Sequence, residues 1–360
     1  MSPVILVAPA AFKGTLGPRQ VADALARGVR RALPDASVLQ CPISDGGDGL
    51  LDAVLGSAAL RERIDVTGPL GAPVPGELGW VDTETAIFES ATACGLGLLR
   101  PDERDPLRAT TRGVGELLWE AAERGATSVV VGLGGSATVD GGTGAARGLG
   151  WTLLGPAGAP LAEGGGALAQ LAELEPGWGL DARVVALADV TTPLVGADGA
   201  APVFAPQKGA GAEAVKLLAR GLERLADVMA RHGRPDLATL VGGGAAGGLG
   251  AGLVFFAKAQ LVAGAEWVLS RVGFDAALAK ADLVITGEGS FDRTSLVGKA
   301  SGEVVRRAQA AKKKLAIVAG RVEDLIGLHA LDGAGKPLDA AGIAALGDQA
   351  VRQAFGLPAA

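Results

Sequence analysis

The chain has 360 residues, of which 33 are lysine or arginine and 39 are aspartate or glutamate, giving a formal charge of −6 at pH 7. Hydrophobic residues make up 49% and charged residues 20%, a composition typical of a globular protein with a large core. The acidic balance excludes nucleic acid and anionic membranes as expected partners, and because one core stops growing near about 250–300 residues, the length predicts two domains.

The first two predicted strands each end at a polar loop. An apolar run at residues 4–8 precedes the loop Phe12-Lys13-Gly14-Thr15, and Pro18 then opens an amphipathic helix. A second apolar strand at residues 37–43 meets the loop Asp45-Gly46-Gly47-Asp48-Gly49. Because ligands of open α/β sheets bind at the carboxyl ends of the strands, both loops are candidate parts of a site.

The pattern changes after the second strand. Residues 61–67, 74–81 and 85–89 are strand candidates separated by Gly, Pro and Asp turns, with no helical pattern between them. A helix at 113–124 and a strand at 128–131 follow. This succession predicts an antiparallel meander within an inserted mixed-sheet domain.

A glycine-rich loop follows the strand at 128–131. It includes Gly134, Gly135, Ser136, Thr138 and Asp140, and it precedes a segment that can be helical. A strand, a glycine loop and a helix together turn backbone N–H groups toward an anion, so these five residues are candidate substrate or phosphate contacts. The alternative is a tight β-to-α turn in which the glycines supply positive φ angles.

Alternation of strands and helices resumes near residue 183. Strand candidates begin at Val4, Ser37, Val184, Leu283 and Leu315, with helical segments between them. Five such strands predict a doubly wound parallel sheet. We assign residues 1–48 and 155–360 to this discontinuous α/β domain, and residues 49–154 to the inserted mixed α/β domain.

The side chains able to carry chemistry follow the predicted strand ends. They are Lys13, Asp45, Asp48, Asp189, Glu288 and Asp292, with Gly287, Lys208 and Lys299 in or beside glycine loops. Carboxylates, a lysine and backbone amides are the groups that phosphoryl transfer uses, and Mg²⁺ needs only one or two carboxylates besides phosphate oxygens. The alternatives are that the aspartates cap helices and that Lys208 and Lys299 are solvated.

Two other function classes stay open. Residues 242–247 read GGGAAG, a match to the G-x-G-x-x-G fingerprint of nicotinamide-dependent oxidoreductases, with Glu266 near the position of a ribose-binding acid. The preceding residues 237–241 are a poor strand, which favours close backbone packing instead. A non-catalytic protein that binds a small carboxylate is the other alternative. The segment 297–300, VGKA, lacks the upstream glycine and the Ser or Thr of a Walker A motif.

The expected compartment is the cytoplasm. The opening residues MSPVILVAPA lack the basic segment of a signal peptide, and no uncharged apolar run approaches the roughly 20 residues that span a bilayer. Cys41 and Cys94 lie in apolar contexts and are expected to be buried free thiols. His232 and His329 are the only histidines, so we expect neither a histidine-based triad nor a histidine-bound metal.

Seven motifs resemble those of the bacterial glycerate kinase family, of the glycerate 2-kinase type. In chain order they are AFKGT (11–15), DGGDG (45–49), GGSATVDGG (134–142), DVTTPL (189–194), FAPQKG (204–209), GAAGGL (244–249) and ITGEG (285–289). They are collinear and span nearly the whole chain. The sequence departs from the family pattern at Val139, where the family often has Asn, and at Asp48, where it has Glu. Leu50 in place of Thr and Ser290-Phe291 in place of Arg-Ile are further departures.

The resemblance implies a flavodoxin-like domain together with a restriction-endonuclease-like domain. It also implies a kinase that moves the γ-phosphoryl group of ATP to D-glycerate with Mg²⁺, usually giving 2-phosphoglycerate. Formation of 3-phosphoglycerate, or phosphorylation of another small hydroxy acid, is the alternative. The expected partners are these small molecules, and the expected assembly is a monomer or a homodimer.

We predict a site in the cleft between the two domains. Asp189 is the first candidate for the general base and Asp45 the second, and Lys13 is expected to contact the transferring phosphoryl group or the glycerate carboxylate. Asp48 and Glu288 are predicted Mg²⁺ ligands. The residues predicted to contact substrate or phosphate are Gly134, Gly135, Ser136, Thr138, Asp140, Lys208, Gly287, Asp292 and Lys299.

Overall fold

A computed structural model describes residues 2–12, 14–56, 60–296, 298–323, 329–333 and 338–358. The strands in these ranges are β1 (Val4–Pro9), β2 (Ser37–Gln40), β3 (Arg61–Thr67), β4 (Pro73–Trp80), β5 (Thr85–Glu89), β6 (Ser128–Gly132), β7 (Thr152–Leu154), β8 (Glu173–Glu175), β9 (Arg183–Leu187), β10 (Gln260–Val262), β11 (Leu283–Phe291), β12 (Lys314–Val322) and β13 (Ala330–Asp332).

The helices in the same ranges are α1 (Pro18–Ala32), α2 (Leu50–Val54), α3 (Ala91–Cys94), α4 (Arg112–Glu123), α5 (Thr143–Gly148), α6 (Ala200–Phe204), α7 (Ala212–Arg231), α8 (Ala245–Phe256), α9 (Gly264–Arg271), α10 (Phe274–Lys280), α11 (Ala300–Ala310) and α12 (Ala340–Phe355). Across the described ranges, every helix is too short or too polar to traverse a lipid bilayer.

The chain divides into two compact units. The first comprises Met1–Asp45, Gly49–Gly56 and Ala263–Ala360, and the second comprises Gly46–Asp48 and Ser57–Val262. The second unit therefore continues well past residue 154, where the inserted domain was predicted to end. The reason is that β9 pairs with β6 and β10 pairs with β9, which keeps the later strands in the sheet of the inserted part.

The sheet of the first unit is entirely parallel, with the strand order β13-β12-β11-β1-β2. Read from β2 and counted along this unit alone, the order is 2-1-3-4-5, the flavodoxin-like doubly wound order, and its switch point lies between β1 and β11. One strand differs from the prediction. The run at Val184 is β9 of the other sheet, and the fifth place belongs to β13, whose three residues are too few to show a hydrophobic pattern.

Helices cover both faces of the parallel sheet, which explains why its strands are continuous apolar runs. On one face Ile5 of β1 packs with Leu25 of α1 and Ile343 of α12. On the other face Leu6 packs with Phe274 of α10. The polar loops after the strands are therefore the parts of this sheet that are available for binding.

The sheet of the second unit is mixed, with the order β10-β9-β6-β5-β4-β3. β3, β4 and β5 pair antiparallel, whereas β5, β6, β9 and β10 pair parallel. Val131 of β6 packs with Leu117 of α4 and Leu249 of α8 in its core. The predicted meander is confirmed, and so is the fold class of a doubly wound parallel sheet accompanied by a mixed-sheet domain.

Candidate active site

The glycine loop of the second unit follows β6 and is held in place by main-chain bonds. Gly135 O accepts from Leu96 N (2.7 Å), and Ala137 N donates to Cys94 O (2.8 Å). Gly135 has a φ of +59°, in the left-handed region where glycine is favoured. The loop is thus fixed against the end of α3 and the residues that follow it, at the carboxyl edge of the sheet.

Lys208 lies buried beside this loop. Only 3% of its surface is exposed, and its ammonium donates to Ser136 Oγ (2.8 Å) and to the carbonyl oxygen of Thr138 (2.7 Å). Burial lowers the pKa of Lys208 to about 8, because a charge is less stable away from water. The structure therefore brings together two predicted residues, Lys208 and Ser136, and the alternative of a solvated Lys208 is wrong.

Asp140 organises the loop from inside. Its fully buried carboxylate accepts from the backbone N and the hydroxyl of Thr111 (both 2.9 Å), from Gly142 N (3.1 Å) and from Gly144 N (3.0 Å). Burial raises the pKa of Asp140, and these hydrogen bonds oppose that shift. Because its oxygens accept from four donors of the protein, we assign Asp140 to the architecture of the loop, and a contact with substrate stays a prediction.

A small pocket of about 170 Å³ is lined by residues of the glycine loop and by Lys208. Its lining residues are Leu96, Leu133, Gly134, Gly135, Ser136, Val190, Phe204, Gln207, Lys208, Ala245 and Ala246. Four of the predicted contacts thus share one pocket. Thr138 is fully buried and is not one of its lining residues.

Two predicted carboxylates lie near this pocket. A Cβ atom at Gly135 would stand 3.0 Å from Asp48 Oδ1, so Asp48 adjoins the glycine loop, where it is exposed. Asp189 is half-buried two residues after β9, and the next residue, Val190, lines the pocket. The second unit therefore gathers Ser136, Lys208, Asp48 and Asp189 in one region.

Glu288 belongs to a separate cluster in the first unit. Its Oε1 accepts from Ser301 Oγ (2.6 Å), and its Oε2 lies 3.4 Å from Lys299 Nζ. Lys299 Nζ also lies 3.3 Å from Ser295 Oγ. The structure thus joins the predicted residues Glu288 and Lys299 as an ion pair at the N-terminal end of α11, while Ser301 occupies the other oxygen of the carboxylate.

The sequence predicted a loop at Gly287 and Glu288, but both residues belong to β11. β11 continues to Phe291 because it stays paired with β12 as far as Val322. A Cβ atom at Gly287 would stand only 1.7 Å from the carbonyl oxygen of Val318, so the two strands approach too closely for any side chain there. Gly287 is thus required for strand packing.

Asp292 caps a short 3₁₀ turn over Arg293–Leu296. Its Oδ1 accepts from Thr294 N (2.7 Å), Thr294 Oγ1 (2.5 Å) and Ser295 N (3.2 Å). The hydrogen bond from the Thr294 hydroxyl lowers the pKa of Asp292. These contacts favour the capping alternative for Asp292, and a contact with substrate stays a prediction.

The two remaining catalytic candidates belong to the first unit. Asp45 is half-buried and follows Ile43, whose N donates to Pro9 O at the end of β1 (3.0 Å). Asp45 therefore lies near the carboxyl end of β1, beside the switch point of the sheet. Lys13 lies outside the described residues.

The loop at Gly242 is a packing element. A 3₁₀ turn over Pro235–Ala238, and not a strand, precedes it, so it lacks the strand–loop–helix context of a dinucleotide site. A Cβ atom at Gly247 would stand 2.0 Å from Thr138 O, and Gly247 O accepts from Gly141 N (3.1 Å). The two glycine-rich loops of this unit thus pack backbone against backbone.

One residue near the pocket carried no signal that would have selected it in the sequence. Arg104 stands among acidic residues in a loop, a context typical of a surface ion pair. Its Nε is nevertheless buried and has no hydrogen-bond partner within the described parts of the chain. The backbone and Cβ of Arg104 pack beside Gly209, the residue after Lys208, a tertiary contact that the local sequence does not show.

The chain is thus an α/β protein whose second unit holds a small pocket lined by a glycine loop and a buried lysine. The sequence model of the Glycerate kinase family matches residues 5–342, so the chain belongs to this family. Kinases of this family are phosphotransferases with an alcohol group as acceptor. The predicted family and enzyme class are confirmed.

Three similar proteins carry the name of this family. The chain is 38% identical over 361 residues to a glycerate 2-kinase of Escherichia coli (strain K12), covering 98% of this chain and 94% of the relative. It is 39% identical over 326 residues to a glycerate kinase of Bacillus subtilis (strain 168), covering 88% and 85%. A solved structure from Salmonella typhimurium LT2 that carries the name glycerate kinase 2 is 36% identical, with a TM-score of 0.84 over 99% of this chain and 98% of that one.

Proposed function

We propose that this protein transfers the γ-phosphoryl group of ATP to D-glycerate, giving 2-phosphoglycerate and ADP, with Mg²⁺ as cofactor. The observation that carries the proposal is the buried Lys208 bound to Ser136 within a glycine loop that lines a small pocket. A buried cation and backbone amides around a small pocket suit a small anionic substrate. The glycerate 2-kinase of Escherichia coli, similar over 98% of this chain, supports the choice of hydroxyl.

The proposed reaction is a single displacement. The hydroxyl oxygen of glycerate forms a bond to the γ-phosphorus, the bond between that phosphorus and the β,γ-bridging oxygen breaks, and ADP leaves. Asp189 accepts the proton of the hydroxyl, since a carboxylate held within hydrogen-bond reach can act as general base. Asp45 is the second candidate for this role.

The glycine loop has a positioning role in this proposal. Lys208 fixes Ser136 Oγ and Thr138 O, and the ammonium group has a third N–H that can be offered to a substrate oxygen. The Ser136 hydroxyl accepts from Lys208 and can still donate its own hydrogen. These two donors would orient the substrate or neutralise charge on the transferring group.

The carboxylates of the chain fit Mg²⁺ that arrives with a phosphate ligand. Within the described ranges, no three histidine, cysteine, aspartate or glutamate side chains are grouped to hold a metal ion. Mg²⁺ needs no such cage, because it takes one or two carboxylates and completes its shell with phosphate oxygens and water. Asp48 in the second unit and Glu288 in the first are separate candidates for such a carboxylate ligand, and the ion would neutralise charge on the phosphates of ATP.

³¹P NMR of the purified protein with ATP, Mg²⁺ and D-glycerate tests the proposal. We expect a phosphomonoester signal that depends on glycerate and is split into a doublet by the single proton on C2, as in 2-phosphoglycerate. A triplet would instead indicate the 3-phosphate, which is the alternative product. Asp189→Asn should reduce kcat by about 100-fold or more, whereas Asp181→Asn, an exposed aspartate before the other end of β9, should match wild type.

The same experiment separates the remaining alternatives. If ATP stays intact with glycerate and with other small hydroxy acids, the kinase proposal fails. Thermal stabilisation by glycerate without ATP turnover would then favour a carboxylate-binding protein. A residual activity of Asp189→Asn close to wild type would move the role of base to Asp45.

A further inference from the structure

The second unit contains another cavity besides the glycine-loop pocket, the space of about 170 Å³ beside Lys208. This second cavity has a volume of about 680 Å³, within the range of roughly 300–1,000 Å³ that ligand pockets occupy. Its lining residues are Trp151, Pro176, Gly177, Gly179, Leu180, His232, Arg234, Val254, Phe255, Phe256, Ala257, Lys258 and Ala259. The two cavities have no lining residue in common among the described residues, so they are separate.

The two cavities lie at opposite edges of the mixed sheet. Leu180 shortly precedes β9 and Ala259 directly precedes β10, so the second cavity lies at the amino ends of these parallel strands. The glycine-loop pocket lies at the carboxyl ends. α8 has Ala245 at its start in the lining of the glycine-loop pocket and Phe256 at its end in the lining of the second cavity. A ligand in the second cavity would therefore lie away from the reacting groups proposed above.

The second cavity has a connected aromatic lining. The ring centroid of Trp151 lies 5.7 Å from that of Phe255 and 5.2 Å from that of Phe256, and the two phenylalanine rings lie 5.0 Å apart. The imidazole of His232 lies edge to face with Phe255, at 6.0 Å. Trp151 and Phe255 are only half-buried. Their exposed parts provide an apolar surface against which a planar ring can stack.

The charged side chains that line the second cavity are all basic. They are Arg234 and Lys258, joined by the imidazole of His232, and over the described ranges no acidic residue lines it. Asp236 accepts from Nε (3.0 Å) and Nη2 (2.8 Å) of Arg234 and so balances its charge. Within the described parts of the chain, the Lys258 ammonium makes no hydrogen bond or ion pair. In a chain whose formal charge is −6, this cavity thus offers an uncompensated cation beside aromatic rings.

We propose that the second cavity binds a nucleoside monophosphate, with the base against Trp151 and Phe255 and the phosphate at Lys258. A nucleobase has apolar faces that stack on aromatic side chains. A phosphate accepts charge-assisted hydrogen bonds from ammonium and guanidinium groups, so Lys258 and Arg234 are suitable donors. The volume of the cavity suits a ligand made of a base, a sugar and a phosphate. This inference goes beyond the proposed function and does not depend on phosphoryl transfer.

Isothermal titration calorimetry of the full chain with AMP tests the proposal, because the proposed kinase reaction neither consumes nor forms AMP. We expect Lys258→Gln to weaken AMP binding by about tenfold, since the variant loses a charged donor to the phosphate. Lys312→Gln is the matched control and should bind AMP like wild type. Both lysines are exposed, directly follow the capping residue of a helix and have a positive φ, 53° at Lys258 and 54° at Lys312.

Two fragments of AMP separate stacking of the base from recognition of the phosphate. Adenosine lacks the phosphate and ribose 5-phosphate lacks the base, so each should bind wild type at least tenfold more weakly than AMP does. The preference of wild type for AMP over adenosine, expressed as the ratio of their Kd values, should fall by about tenfold in Lys258→Gln. An equal weakening with both compounds would remove Lys258 from the phosphate and overturn the proposal.

The remaining outcomes are also decisive. Absence of AMP binding to wild type at millimolar concentration, or equal Kd values for Lys258→Gln and Lys312→Gln, would refute the proposal. AMP that ATP displaces with the same affinity in both variants would belong to the kinase site, which would also refute it. If Lys258→Gln fails to fold by circular dichroism, Arg234→Gln takes its place in the same comparison. Because calorimetry requires no turnover, failure of the kinase proposal leaves this result unaffected.

Discussion

Lys208 lies in an environment that a lysine side chain ordinarily avoids. Its ammonium is almost completely removed from water, and two oxygens of the glycine loop, Ser136 Oγ and Thr138 O, replace the lost hydration. Such an arrangement costs desolvation free energy, and that cost is tolerated where the charge has a use. In the proposed reaction the use is to fix the loop and to meet a negative substrate.

Replacing Lys208 with methionine should separate activity from stability. Methionine fills a similar volume, and the exchange of a buried charge for an apolar group is often neutral or stabilising, so we expect Tm to change by only a few degrees. We expect kcat to fall by about 100-fold or more, since the loop loses its anchor and the site its cation. Lys216→Met, at an exposed lysine paired with Glu213, is the control and should retain full activity. Retention of activity by Lys208→Met would exclude the proposed role.

The pKa of Lys208 also predicts how stability depends on pH. The folded chain holds this group with a pKa of about 8, against 10.5 for an unperturbed lysine. Between these values the unfolded chain keeps the proton and the folded chain releases it, so the contribution of this group to the free energy of unfolding rises with pH. Below pH 8 both states are protonated and the full burial penalty remains.

Urea unfolding measures this effect as a difference between two proteins. From pH 7.5 to pH 10.5, the free energy of unfolding of wild type should rise relative to that of Lys208→Met by roughly 2–3 kcal/mol. Comparison with the variant removes the titration of all other groups. A difference between the two proteins that stays constant across this range would show that the pKa of Lys208 is not lowered.

At the level of elements, the approach of β11 to β12 depends on one residue without a side chain. Gly287→Ala would place a Cβ atom 1.7 Å from Val318 O, so the strands must separate. We expect a loss of about 3 kcal/mol or more in the free energy of unfolding, or failure to fold, since the change overpacks a buried sheet. Gly97→Ala, where an added Cβ meets no atom within 4 Å, is the control and should change stability little. Equal Tm values for the two variants would contradict this account.

The elements also show why part of the site could be predicted from sequence. Strands buried on both faces give unmistakable apolar runs, and the polar residues after them, such as Asp45 and Asp189, could therefore be placed near strand ends. β11 was predicted to stop too early because its end contains Gly287 and Glu288, which resemble a loop in composition. Pairing with β12, a tertiary contact, extends the strand past that point.

What could not be predicted depends on contacts between distant parts of the chain. Lys208 is buried against a loop that lies 70 residues earlier in the sequence. The carboxylate of Asp140 accepts hydrogen bonds from donors that include Thr111, 29 residues away. Local composition around these residues suits exposed loops equally well. The parallel order of the first sheet could be predicted in outline, whereas β9 could not be assigned to the correct sheet, because one apolar strand looks like another.

At the level of the whole molecule, the arrangement of potential metal ligands predicts how the protein responds to removal of metal ions. Within the described ranges, no group of three or more His, Cys, Asp or Glu side chains is placed to hold a metal ion. We expect EDTA to abolish phosphoryl transfer while leaving Tm of the ligand-free protein within about 1 °C of its starting value. Differential scanning fluorimetry together with a coupled ADP assay measures both. A large drop in Tm would indicate a metal that the chain holds by itself.

The first unit is assembled from stretches that are far apart in the sequence, and this affects the order in which the protein folds during translation. β1 must pair with β11, and Val4 N bonds to the carboxylate of Asp282, 278 residues further along the chain. A ribosome therefore completes the contiguous stretch from Ser57 to Val262 before the central partner of β1 exists. The second unit can fold while it emerges, but β1 and β2 must wait as an unfinished sheet with an open edge. β1 is consequently among the last elements to reach its native pairing.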